Sequence, residues 1–219
     1  MPVSLLIATC ALLAADPAIL DRIAVVVGKR IVKASDVNRN VRLAQFMNNA
    51  PLTVNEAERR SVAERLVDQE VIRQEMMSGG YSQPVDREVN VFVQQLVRDR
   101  FAGSEAQMQT ALTKYGLTKS QFQAYILWQL SVLRFIEQRF RPGVVVTDED
   151  IKSYYDQHLP ELRKKYPGNT SLEGLAEAIR DIIGGEKVNQ NFDEWLKQSR
   201  DRIKIEFRDA AFQEKGKTQ

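Results

Sequence analysis

The apolar positions of this chain repeat with a helical period over most of its length, and with a period of two only near its ends. Residues 19–32 read ILDRIAVVVGKRIV, where two β-branched runs flank Gly28-Lys29, the pattern of a small β-hairpin with glycine at the turn. Ser35 or Asp36 can cap the helix that follows, since either side chain can accept a hydrogen bond from an unpaired N–H of the first turn. Val37, Val41, Ala44 and Met47 then recur at helical spacing, up to Pro51. The strongest helical pattern covers residues 53–79. Val62, Ala63, Leu66, Gln69, Ile72 and Met76 fall near one stripe, Arg59, Arg60, Arg65, Arg73 and Glu75 lie opposite, and Gly79-Gly80 supplies a stop.

Pro84 opens a further helix with Val85, Val89, Phe92, Val93 and Leu96 on its apolar face. Met108, Ala111, Leu112 and Tyr115 align in a short helix closed by Gly116. Thr118 and Gln121 have capping-box spacing, and the helix they open has Phe122, Ile126, Leu130, Leu133 and Phe140 inward. Tyr125, Trp128 and Val132 widen that face beyond what one neighbour needs, and Pro142-Gly143 breaks the chain. Asp148, Glu149 and Asp150 stand in the first turn of the next helix, favourable against its dipole. Ile151, Tyr154 and Tyr155 follow, and residues 159–166 are basic and less patterned. Leu172, Leu175, Ile179, Ile182 and Ile183 predict a helix ending at Gly184-Gly185, and Phe192, Trp195 and Leu196 one more. Residues 203–207 alternate strictly and read as a strand. A lone hairpin is marginal in water, so this strand is expected to pair with it. The expected fold is mainly α: a multi-helix domain with a small N-terminal hairpin joined by a C-terminal strand.

Composition narrows the functional classes. The chain has 219 residues, 43% apolar and 27% charged, enough for a globular core. Lys and Arg total 31 against 29 Asp and Glu, so the net charge of +2 gives no general attraction for nucleic acid or an anionic membrane. One Cys and one His exclude an intrachain disulfide, a Cys/His zinc site and any mechanism that needs two histidines. Residues 1–15 carry no charged side chain, are too short to span a bilayer, and fit the apolar region of a secretory signal cleaved near Ala14 or Ala15. Cys10 within them reads as a small apolar residue of a discarded segment, with lipid attachment as the alternative. The expected organisation is a signal over 1–15, one domain over 16–212 and a polar tail over 213–219, with no integral span after cleavage.

Catalytic chemistry is sparse. His158, near Pro160 at an expected helix end, reads as a solvated or capping histidine rather than a general base. Asp148, Glu149 and Asp150 fan around a helix axis and do not converge on one ion. Arg163-Lys164-Lys165 and Arg139-Phe140-Arg141 have Glu137, Glu149, Asp150 and Glu161 close by in sequence, so they read as solvated faces, and no nucleic-acid partner is expected. No cofactor or metal is expected either. Met47, Met76, Met77 and Met108 suit a core first, and adaptable apolar binding second, because thioethers conform to varied shapes.

The ordered landmarks resemble a known family. Residues 20–32, then Ser35-Asp36-Val37, are similar to the opening of the SurA-type periplasmic chaperones. Residues 64–72, Tyr115-Gly116-Leu117 and residues 146–155 resemble the family's later landmarks. In related folding factors a parvulin-type prolyl isomerase domain of roughly a hundred residues follows the last of these. Here only residues 157–171 separate it from the closing helices, and the histidines of such a domain are absent. No isomerase residue carries over, and the chain is expected not to be an enzyme.

The resemblance implies a periplasmic, ATP-independent holdase for unfolded or nascent envelope proteins, outer-membrane proteins among them. Its clients would be held by their apolar segments in a groove between helices. Met47, Met76, Phe92, Tyr125 and Trp128 are the expected groove residues. The alternative is a specific interaction or scaffold protein that reuses the fold, including a homodimer with exchanged helices.

Overall fold

The computed structural model describes residues 21–53, 55–168 and 170–209, so the signal expected over 1–15, Cys10 and the tail expected over 213–219 lie outside the described residues. The β-branched run Ile23–Val27 forms β1, which turns through Gly28 and Lys29 into β2 (Arg30–Lys33). The far edge of β1 pairs antiparallel with β3 (Ile205–Phe207), giving the order β2-β1-β3. The alternating segment near the C-terminus therefore closes the hairpin as its pattern requires. A register irregularity between Ile23 and Val25 lets Ala24 and Val25, adjacent in sequence, both be buried.

Seven helices lie between these strands among the described residues: α1 (Ala34–Met47), α2 (Glu56–Gly79), α3 (Asp86–Phe101), α4 (Glu105–Lys114), α5 (Lys119–Phe140), α6 (Asp148–Lys165) and α7 (Leu172–Asp201). Their starts follow local chemistry. Asn55 caps α2 by accepting from the Glu58 N–H at 2.8 Å. Thr118 and Gln121 exchange hydrogen bonds of 3.0 and 3.1 Å at α5, and Thr147 and Asp150 exchange two of 3.1 Å at α6. At α1 the cap expected at Ser35 or Asp36 is corrected: the helix starts at Ala34 after Lys33, and both residues lie within its first turn. Asp36 accepts from the Lys33 N–H at 3.3 Å, while Asp21, from ahead of β1, accepts from the Ser35 N–H at 3.2 Å and from its hydroxyl.

The sheet packs on Val37 and Val41 of α1 and on Val62, Ala63, Val67 and Val71 of α2, with Trp195, Leu196, Ile203 and Phe207 covering the cluster. A second cluster joins Leu43 and Phe46 to Val89, Val93, Val97, Met108, Leu112, Phe122 and Ile126. Phe135 centres a third, with Ile72, Met76, Tyr81, Phe140, Phe192 and Trp195. The fourth belongs to α6 and the first half of α7, around Ile151, Leu162, Leu175, Ile179 and Ile183.

Three further expectations are corrected. Gly184-Gly185 does not end a helix, because α7 runs unbroken to Asp201; Gly184 is buried against Arg141 and Val146, and the apolar face resumes at Val188. Residues 159–165 are helical, since Leu162 is buried against α7, although the chain kinks at His158 (φ −116°, ψ 17°) two positions before Pro160. Leu133, Val85 and Phe92 do not face inward. Leu133 and Val85 are each 59% exposed, and Ser131 and Phe135 take the buried positions of α5 instead.

Candidate functional site

The C-terminal half of α2 and the middle of α5 face each other without closing. Between them, under the α2–α3 connection, lies a hollow of about 660 Å³ with Arg73, Met76 and Met77 on one wall, Leu127, Trp128 and Ser131 on the other, and Tyr81 and Pro84 at its end. Two glycines shape that end. Gly80 ends α2 in the left-handed conformation at φ 66°, which reverses the chain. A side chain on Gly79 would collide with the Tyr81 ring at 2.2 Å, so the ring can fold back there and meet Phe135 edge-on at 4.9 Å.

Polar contacts hold this end in place. Arg139 Nη1 donates to the Tyr81 hydroxyl at 2.7 Å and to Glu75 at 2.6 Å. Arg134 Nη1 donates to the Gln83 carbonyl at 3.0 Å, and its other nitrogen binds Glu88. The buried Ser131 hydroxyl donates to the Leu127 carbonyl at 2.8 Å, which leaves the wall it stands in effectively apolar.

Trp128 is the partition. The Arg73 guanidinium lies 4.3 Å above its ring. On the other side of Trp128 is a hollow of about 320 Å³, lined by Asn40, Arg65, Gln69, Tyr125, Gln129 and Val132 among others. Burial raises the pKa of the Tyr125 phenol in its wall, so the ring presents a neutral hydroxyl. A third hollow of about 370 Å³ shares Ala124 and Leu127 with the first and continues past Val89, Asn90 and Gln123. The α5 surface thus carries a groove made of three adjoining hollows, with Leu127 and Trp128 at their junctions.

Of the five expected groove residues, Met76 and Trp128 line the largest hollow, and Tyr125 joins Trp128 in the second. Met47 lies elsewhere: it packs into the second cluster at the end of α1, where Arg100 binds its carbonyl at 2.9 Å. Phe92, 39% exposed on α3, lines none of the three hollows. The residues that sequence reasoning did not assign to the groove are Met77, Tyr81, Pro84 and Leu127. Met77 was legible as half of an adjacent Met pair, of which a helix can bury only one on a single face; Met76 is buried and Met77 is 69% exposed.

The groove offers adaptable thioethers, an indole and aliphatic walls, and no pairing of a nucleophile with a base. That chemistry suits reversible, non-covalent binding of apolar groups. His158 lines none of the three hollows and stacks on Tyr154 at 4.3 Å at the α6 kink. Asp150 is engaged by Lys187 at 2.8 Å, and Arg141 is paired with Glu137. Among the described residues, no three His, Cys, Asp or Glu side chains are grouped to hold a metal ion, and no helix is long and apolar enough to cross a membrane. No family model matches the chain, and no curated protein matches it.

Proposed function

We propose that the chain is an ATP-independent holdase of the SurA type without a parvulin domain, and that it acts in the periplasm on unfolded envelope proteins. The observation that carries the reading is the open groove on α5, where Met76, Met77, Leu127 and Trp128 line a hollow of about 660 Å³ next to two smaller ones. A surface with adjoining hollows, the two beside Trp128 mainly apolar, binds extended apolar segments by many small contributions. Each Å² of client apolar surface removed from water contributes about 25 cal/mol, before ordering costs are subtracted. The sum is affinity that can be reversed without a nucleotide. The order of the sequence landmarks and the apolar segment over 1–15 support the family and the compartment in the same reading.

The test is aggregation of two diluted, urea-unfolded proteins, an outer-membrane β-barrel and an unrelated soluble enzyme, followed by light scattering. Suppression of both at near-stoichiometric ratios without ATP is the expected result. Failure to suppress either overturns the holdase and favours a protein with one specific partner. Turnover in a short-peptide prolyl isomerisation assay would overturn the non-enzymatic reading.

A further inference from the structure

Two guanidinium groups flank the Met77–Trp128 hollow, and they share one carboxylate. Glu70 stands 3.6 Å from Arg30 Nε and 3.5 Å from Arg73 Nε, and its Oε1, although buried, accepts no hydrogen bond. Both arginines are about half exposed, Arg30 at 55% and Arg73 at 47%. Arg30 reaches across from β2 to place Nη2 3.9 Å from the Met77 sulfur, and Arg73 covers the Trp128 ring. The apolar hollow therefore has a rim with two cations against one anion, and the guanidinium N–H groups are presented toward solvent beside the site. Asp86 lines the adjoining hollow across Leu127, and four further acids nearby are engaged. Glu75 binds Arg139, Glu88 binds Arg134, and Asp68 with Glu64 binds Arg200.

We infer that the groove selects segments in which an aromatic or large aliphatic residue stands next to an aspartate or glutamate. The apolar side chain enters between Met76, Met77 and Trp128, and the carboxylate is met by Arg73 and Arg30, completing the charge that Glu70 alone leaves in excess. The carboxylate belongs to a side chain within the client rather than to its terminus. The groove continues past Leu127 into the next hollow, so a chain passes through the site and does not end in it. Guanidinium recognises carboxylate through paired N–H donors, which fixes the register of the passing chain as well as adding attraction. This inference rests on the holdase reading and gives that reading a client sequence class.

The experiment uses the full chain and three fluorescein-labelled peptides with blocked termini, identical except for Asp, Asn or Lys beside a central Phe. Binding is read by anisotropy. The Asp peptide should bind about three- to fivefold more tightly than the Asn peptide, the scale of a half-exposed ion pair, and the Lys peptide more weakly than either. The preference should shrink as salt is raised. Arg73→Gln and Arg30→Gln should each bring the ratio of Asp-peptide to Asn-peptide affinity, measured within the same variant, toward unity. Equal binding of all three peptides, or a preference for Lys, overturns the inference and leaves the holdase standing. If no peptide binds, the holdase reading itself falls.

Discussion

At the scale of single residues, the groove depends on a few side chains whose surroundings fix their roles. Phe135 is fully buried, touching Tyr81, Phe140 and Trp195 through ring contacts of 4.9, 5.8 and 5.5 Å. Phe135→Ala should lower unfolding stability by about 3–5 kcal/mol in a urea titration. Trp128 is only partly buried, so Trp128→Ala should cost far less stability yet remove the partition of two hollows and weaken peptide binding several-fold. Loss of fold in that variant would mean that the residue is core and not groove. Asp68 makes a pH prediction. Burial raises its pKa above the ordinary aspartate value, more than its hydrogen bond to Arg200 lowers it. A folded-state carboxyl with a raised pKa holds its proton more tightly than the unfolded chain does, so its contribution falls as pH rises through that window. Asp68→Asn cannot titrate. Stability of the wild type minus that of Asp68→Asn should therefore decline as pH rises from the ordinary carboxylate range through the raised value, and a flat or rising difference would refute the assignment. Asp150 runs the other way. Its hydrogen bond from Lys187 holds its pKa down, so the stabilisation it brings is present above the ordinary carboxylate range and is lost as pH falls through the depressed value.

At the scale of elements, α7 provides the sharpest test of what a glycine pair does. Neither Gly184 nor Gly185 has positive φ, and a Cβ on Gly185 would meet nothing within 4 Å. Gly185→Ala should therefore stabilise the chain by about 0.5–1 kcal/mol in chemical denaturation, because alanine gives up less backbone freedom in a helix. Were the helix to stop there in a left-handed turn, the same change would destabilise it. Helix starts were legible because a cap is local: Thr118 and Gln121 satisfy each other within four residues. The end expected at Gly184-Gly185 was not, because the continuation is stabilised by distant partners, Phe192 and Trp195 against Phe140 and Phe135. The inward face of α5 failed for a related reason. Phe122 and Ile126 pack toward α3 and α4, but Ser131 and Phe135 pack toward α2 and α7, so the covered arc shifts by about half a turn along one helix. Periodicity states that a face is apolar; only the neighbours decide where it is covered. The uncovered remainder of a face wider than one neighbour needs is the groove. Tyr125 and Trp128 stand on that remainder and Met76 faces it from α2, while Met47 and Phe92, equally apolar, belong to other surroundings.

At the scale of the whole molecule, the first and last strands of the described residues meet in one sheet. β3 returns to β1, Gly28 donates to the Lys204 carbonyl at 2.8 Å, and Arg200 binds Glu64 at 2.7 Å together with Asp68, so the end of α7 is fixed to both the sheet and α2. The groove wall on α2 is thereby braced from behind by the last described part of the sequence. α6 has no comparable brace. Its main packing partner is α7, its buried residues Ile151 and Leu162 share a cluster only with α7 and flanking residues, and a kink with Pro160 interrupts its own hydrogen-bond ladder. Within the pair, Lys187 of α7 binds Asp150 of α6 and the Val145 carbonyl just ahead of it, and the continuity of α7 joins the pair to the rest of the fold. Such an arm can open without exposing Phe135 or the sheet, so its opening free energy is not obliged to equal that of the whole. Native-state hydrogen exchange should find the α6 amides and those of residues 172–183 exchanging by a local opening. Their free energy should lie below that of α2, α5 and β1, whose amides should require global unfolding. Phe135→Ala should accelerate the second group and leave the first nearly unchanged. If both groups exchange at one common free energy and respond together to the substitution, the arm is part of a single cooperative unit, and the groove is coupled to the far end of the molecule.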